Sequence, residues 1–199
     1  GAKLTVKLVA PASNSATLEN VQADGDVKLT ATADSVSFTS GETPVLLKGL
    51  PDGKYALIET RSPDGYTINE KSVTFTVKDA ELVGDEDTVA MTDVPSKISI
   101  SKMDMAMSEE IPGAELTLTL EQSYKNTAAD LKAVAAANTG VKIVEGSEDR
   151  AITWTSGKKA LAIEGLPDGD YVLSENVAPD RFTQFTGSIA SKGNEYRTL

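Results

Sequence analysis

The sequence predicts an all-β protein built as two tandem β-sandwiches, with one short helix inserted in the second. Three observations carry that expectation. A long stretch recurs without a gap: SFTSGETPVLLKGLPDGKYALIETRSPDGY (Ser37–Tyr66) against TWTSGKKALAIEGLPDGDYVLSENVAPDRF (Thr153–Phe182), an offset of 116 residues. Apolar and polar residues alternate with the period of a half-buried strand at many points. Pro-Asp-Gly recurs at 51–53, 63–65 and 167–169, where proline presets φ and glycine accepts a turn conformation.

Taken along the chain, Leu4, Val6 and Leu8 alternate with Lys3, Thr5 and Lys7, and GAKLTVKL at Gly1 matches GAELTLTL at Gly113. Leu116, Leu118 and Leu120 repeat the alternation, as do Val73, Phe75 and Val77. The frame places two copies of one domain at 1–95 and 96–199. NTAADLKAVAAANTG (Asn126–Gly140) breaks the strand pattern. It is alanine-rich, opens on a Thr127-x-x-Asp130 pattern like a capping box, stops before Gly140, and puts Leu131, Val134 and Ala135 on one stripe. A helix over about 127–138 is expected, as packing that covers a sheet edge rather than as a ligand lid. Trp154 lies among strand-core residues and is expected to pack there.

The 199 residues carry a formal charge of −11, with 40% hydrophobic residues. The acidity is spread along the chain and argues against a nucleic-acid partner, whose phosphates want a basic surface. No apolar run approaches the roughly 20 residues of a membrane span. No basic-then-apolar leader opens the chain, so any signal peptide is expected to have been removed or to lie outside these residues. Cysteine and histidine are both absent, which excludes disulfides, thiolate nucleophiles, histidine catalysis and the usual zinc sites. No cofactor is called for.

An oddity recurs in both copies. Tyr55, Leu57 and Glu59 sit two apart, so a strand points all three to one face, and Tyr171, Leu173 and Glu175 do the same. In KISISKMD (Lys97–Asp104), Lys102 shares a face with Ile98 and Ile100. In DTVAMTDVP (Asp87–Pro95), Asp93 shares one with Val89 and Met91. Burying a lone charge is costly, so four inward ionisable groups in two repeats point to a purpose.

The combination ISISKMD…IPGAELTL…GLPDGDYVLSE-x-x-AP resembles the Cna-B-type domains of Gram-positive pilins and surface adhesins, over nearly the whole chain and twice. The resemblance implies inverse immunoglobulin-type, prealbumin-like sandwiches on a bacterial cell surface, in a cell wall or pilus. It also implies an intramolecular isopeptide bond, with Lys102 as nucleophile, Asp93 as acyl acceptor, and Glu59 and Glu175 as proton-shuttling glutamates. The chemistry is coherent. A neutral amine attacks a carboxyl or carboxamide carbon, a protonated glutamate polarises the carbonyl, and water or ammonia leaves. By the loop-closure argument used for disulfides, such a staple across about 100 residues contributes about 4–5 kcal/mol.

The repeat frame divides this set. The first copy holds Glu59 and Asp93, and its lysine would precede residue 1; the second holds Lys102 and Glu175, and its acceptor would follow Leu199. The first copy is therefore expected to lack its first strand and the second its last. Three explanations stand: a piece cut from a longer chain, a different frame in which Lys3 or Lys7 serves the first copy, or strands donated by a neighbouring chain. The leading functional expectation is a structural stalk or adhesin segment, whose partners are other domains of the same surface protein or pilus. The alternative is a binding module for a host or carbohydrate surface. A glycoside hydrolase needs paired carboxylates across one cleft, and Glu59 and Glu175 fall in separate copies. No LPxTG-type sorting signal occurs in these residues, so anchoring is expected to lie elsewhere in a longer chain or to be absent.

Overall fold

The computed structural model describes residues 1–84, 87–104, 109–126, 128–179, 186–192 and 195–198, the last two ranges by backbone alone. The chain divides into two compact units, residues 1–63 with 68–94 and residues 64–67 with 95–199. The first unit contains β1 (Lys3–Pro11), β2 (Gln22–Ala23), β3 (Thr30–Ala31), β4 (Ser35–Thr39), β5 (Leu47–Lys48) and β6 (Gly53–Arg61). After β7 (Tyr66–Thr67) it continues with β8 (Val73–Lys78) and β9 (Glu81–Leu82). Its main sheet runs β3-β4-β1-β6-β8-β9, and β2 pairs with β5 apart from it.

Beyond β10 (Val94–Pro95), the second unit contains β11 (Lys97–Ile100), β12 (Glu115–Ser123), α1 (Lys132–Ala137), β13 (Lys142–Ile143) and β14 (Ala151–Thr155). It closes with β15 (Leu161–Glu164), β16 (Gly169–Val177), β17 (Thr186–Lys192) and β18 (Glu195–Thr198). Its main sheet runs β13-β14-β12-β16-β17-β18, the same order as in the first unit, and β11 pairs with β15. The all-β expectation with one short helix therefore stands.

The repeat extends to irregularities of the backbone. β1 shifts register against β6 between Lys3 and Leu4 and between Leu8 and Ala10. β12 shifts against β16 at the matching points, between Glu115 and Leu116 and between Leu120 and Gln122. A bulge brings backbone close to the partner strand, which explains the glycine opposite each second shift. A Cβ on Gly53 would lie 2.9 Å from the Ala10 carbonyl oxygen, and one on Gly169 would lie 2.2 Å from that of Gln122. Gly49 and Gly165, which open the two Gly-Leu-Pro-Asp-Gly turns, both take φ of +81°, a region that L side chains avoid.

Alternation becomes a core most completely in the second unit. Leu116, Leu118 and Leu120 are buried with Ile98, Ile152, Ile163 and Tyr171, and Trp154 packs among them as expected. Full burial of each such side chain stabilises by roughly 1.5–3 kcal/mol. In the first unit Val6, Val36, Phe38, Tyr55 and Leu57 are buried, whereas Leu4 and Leu8 are only partly covered. Each unit also ties its central tyrosine to the turn that precedes it. The Tyr55 hydroxyl donates to the Pro51 carbonyl at 2.5 Å and the Tyr171 hydroxyl to the Pro167 carbonyl at 2.7 Å. Burial, helped by the Asp52 carboxylate, pushes the Tyr55 phenol up to about 12. Replacing Tyr171 by phenylalanine strands a buried carbonyl. The expected cost is about 1–2 kcal/mol, read from the urea midpoint of Trp154 fluorescence.

The helix is shorter than its sequence suggests. α1 begins after Leu131, which caps it without a side-chain bond. Thr127, the first half of the expected capping box, lies outside the described residues. Asp130 accepts the Lys132 N–H at 3.0 Å, a local turn two residues long that competes with helix and delays its start. The expected apolar stripe is in place, with Leu131 and Val134 buried and Ala135 partly so. Asn138 then ends the helix and grips β15. Its amide donates to the Glu164 carbonyl at 2.9 Å, and its oxygen accepts the Glu164 N–H at 2.9 Å. A side-chain amide thus takes the place of a strand along one edge of β15, so the insertion is a packing element.

Candidate functional site

In the second unit, the polypeptide leaves β11 with Ile98 and Ile100 in the core and continues in phase to Lys102. Two backbone contacts fix the lysine there. Its N–H donates to Glu110 Oε2 at 3.0 Å, and its carbonyl accepts the Ile111 N–H at 2.6 Å. From the opposite side β16 delivers Glu175, paired in register with Leu116 of β12. Glu175 Oε1 stands 3.3 Å from Lys102 Nζ, with side-chain exposures of 1% and 16%. The pair is therefore withdrawn from water, unlike Lys48–Asp24 and Lys97–Glu164, whose side chains are half exposed or more. An ion pair this deep loses much of its solvation and needs close geometry to offset the loss.

In the first unit Glu59 takes the equivalent place, 4% exposed and paired with Leu4 of β1. Its Oε2 accepts the Asn69 backbone N–H at 2.5 Å. The Asn69 side chain in turn donates to the Thr92 carbonyl at 3.2 Å, so the buried carboxylate reaches, through one residue, the segment that carries Asp93. Asp93 is half-buried and lines the same groove as Val89 and Met91. Residues 88–93 form no strand, although Val89 and Met91 pack on the core as their alternation suggests. Lys3 and Lys7 are exposed on β1, on the face away from buried Val6.

Lys102 and Glu175 are thus together in one unit, and Glu59 and Asp93 lie in the other. Two supporting residues escaped the sequence reading, Glu110 and Asn69. Both sit in loops, where no periodicity marks them. Among the described residues no group of three potential ligands could hold a metal ion, and no helix is long and apolar enough to cross a membrane.

A fold match to the Bacillus anthracis TIE protein has 21% identity and a TM-score of 0.44, covering 97% of this chain and 28% of that one. The chain thus spans little more than a quarter of that protein. A second, to a C-terminal fragment of the pilus adhesin SpaC from Lactobacillus rhamnosus GG, has 18% identity and a TM-score of 0.43, covering 99% and 78%. A third, to a C-terminal fragment of the major pilin of Streptococcus agalactiae, has 12% identity and a TM-score of 0.34, covering 96% and 78%. No curated protein sequence matches the chain. The profile of the SpaA prealbumin-like fold domain matches residues 1–90 and again residues 96–192. The chain belongs to the family of SpaA prealbumin-like fold domains, which it contains in two tandem copies.

Proposed function

We propose that the chain is a structural stalk or adhesin segment of a Gram-positive pilus or cell-surface protein, displayed outside the cell. Its domains, 1–95 and 96–199, belong on this reading to the kind stabilised by self-formed Lys–Asn/Asp isopeptide bonds. The observation that carries it is the withdrawn Lys102–Glu175 contact at 3.3 Å. Proton transfer across that contact turns the ammonium into a neutral amine and the carboxylate into a neutral acid. The Lys102 Nζ lone pair then attacks the side-chain carbonyl carbon of an Asp or Asn on a last strand, while the Glu175 acid donates to the carbonyl oxygen. The carboxyl group relays the proton lost from nitrogen to the departing group, which leaves as water from Asp or ammonia from Asn. One bond forms, one breaks, and no cofactor takes part. Glu59 holds the matching place in the first copy, where Asn69 links it to Thr92, the neighbour of Asp93 in the chain. A single turnover leaves a cross-link, so the function is mechanical and no substrate is consumed. The partners are neighbouring segments of the same surface protein or pilus.

Within residues 1–199 the reacting set is split between the copies, so the denatured chain is expected to weigh the same as its sequence. A deficit of one water or one ammonia would overturn that split, and peptide mapping would identify the lysine and acceptor, Lys3 and Lys7 included. The surface role is tested by immunogold labelling of whole cells with antibody against the purified chain. Label on fibres or the outer wall is expected; label confined to the cytoplasm sinks the reading.

A further inference from the structure

The central strands of each main sheet pack one face on the core and turn the other outward. The repeat matches β4, β1 and β6 of the first unit with β14, β12 and β16 of the second. Glu59 and Glu175 point inward; the other charged residues on these strands differ in sign between the copies. In the first unit all are basic: Lys3 and Lys7 on β1, Lys54 and Arg61 on β6. In the second all are acidic: Glu115 and Glu121 on β12, Asp170 on β16. The chain holds 30 acidic residues against 19 basic, so an all-basic set of four runs against its composition. Asp170 is half-buried and the rest are exposed. The outer strands are mixed, with Lys78 in register with Glu81 and Lys142 on β13.

The charges fall at matching positions, Lys3 with Glu115 and Lys54 with Asp170. Lys3 lies opposite Arg61, and directly opposed residues share a face, so two cations stand at that end. At the other end Lys54 pairs with Ala10 and Asp170 with Gln122, seven residues along from Lys3 and Glu115 respectively. Both faces therefore carry charge at two points spaced by roughly 24 Å, at about 3.4 Å per residue. The middle of each face is short-chained and internally satisfied. The Thr5 and Ser37 hydroxyls share a hydrogen bond at 2.8 Å, and Thr117 Oγ1 accepts from the Asn176 amide at 2.7 Å. Covering either face thus leaves these hydroxyls their partners.

We infer that these two faces bind one another between copies of this chain, the basic face of one first unit on the acidic face of another chain's second unit. Equal spacing lets Lys3 and Lys54 each meet a carboxylate in one docking, with the sheets about 10 Å apart. Like faces repel, which disfavours first-on-first and second-on-second pairing. The contact is heterologous, because its two surfaces differ. The net charge of −11 opposes association of whole chains, so the docking is local and weak. The inference stands on the two faces and requires no covalent step.

The test is sedimentation equilibrium of the full chain at concentrations up to about 1 mM, with two variants. One reverses the basic face (Lys3→Glu, Lys7→Glu, Lys54→Glu) and the other the acidic face (Glu115→Lys, Glu121→Lys, Asp170→Lys). Wild-type mass is expected to rise with concentration, and each variant alone should associate about tenfold more weakly or worse. An equimolar mixture of the two should recover association, since every acidic face then finds a basic one. Both variants remain net negative, so overall attraction cannot mimic that recovery, and recovery itself requires both to be folded. A wild type that stays monomeric at the highest concentration overturns the pairing, as do variants that associate like wild type or a mixture of folded variants without recovery. Folding is read from an unchanged circular dichroism spectrum. Weakening by the basic-face variant alone overturns it in favour of a different acidic surface on the second copy.

Discussion

Replacing Glu175 by alanine is expected to destabilise the second unit by about 3–5 kcal/mol. The substitution removes a buried carboxylate and leaves the Lys102 ammonium, 16% exposed, without its counter-ion. Apolar burial of the lost methylenes adds little beside that. Trp154 is the only tryptophan in the chain and sits in the core of this unit, so the urea transition of its fluorescence reads the loss directly. Adding Lys102→Met to Glu175→Ala should recover most of the loss, because the stranded charge is gone while the volume is kept. The remaining deficit then measures the cavity left by the glutamate. A cost under about 1 kcal/mol for Glu175→Ala would place this contact with exposed pairs, whose worth is about that or less, and would contradict the burial described above.

The second large effect is expected at Gly169. An alanine Cβ there would sit 2.2 Å from the Gln122 carbonyl oxygen and 2.8 Å from a Leu120 methyl. Atoms cannot share that space, so β12 must move away from β16, and overpacking of this kind costs about 3 kcal/mol. At Gly53 the contacts are 2.9 Å, to the Ala10 carbonyl oxygen and a Leu8 methyl, so Gly53→Ala should cost less in the first unit. For Gly169→Ala the readout is again the Trp154 transition; an unchanged midpoint would mean the bulge can relax freely.

Much of this architecture is legible in the residues, and the limits have physical causes. Strict alternation at Leu116, Leu118 and Leu120 declares both strand and face, because each points into one core. The inward placement of Glu59 and Glu175 follows from the same period of two. The segment around Asp93 alternates without forming a strand. Its alternation states which side faces the core, and Val89 and Met91 obey it. Whether it is a strand depends on a hydrogen-bonded neighbour, and that is a property of other residues. The helix starts later than its pattern suggests for a similar reason: Asp130 spends its side chain on a local turn instead of a cap. Glu110 and Asn69, which position the lysine and the first glutamate, sit in loops where the sequence carries no period.

The paired bulges have a consequence for how the sheet finds its alignment. Leu-Thr-Leu-Thr-Leu at 116–120 looks the same after sliding by two residues, since every side chain keeps its face. Hydrophobic matching alone therefore tolerates several alignments of β12 on β16. The close approach of Gln122 to residue 169 tolerates one, because only a glycine fits there. A slide by two would bring the bulge against Tyr171, whose side chain would collide with it. The missing side chain thus works like the notch on a key blank, rejecting near-miss alignments that greasy surfaces would accept, and both copies carry the same notch.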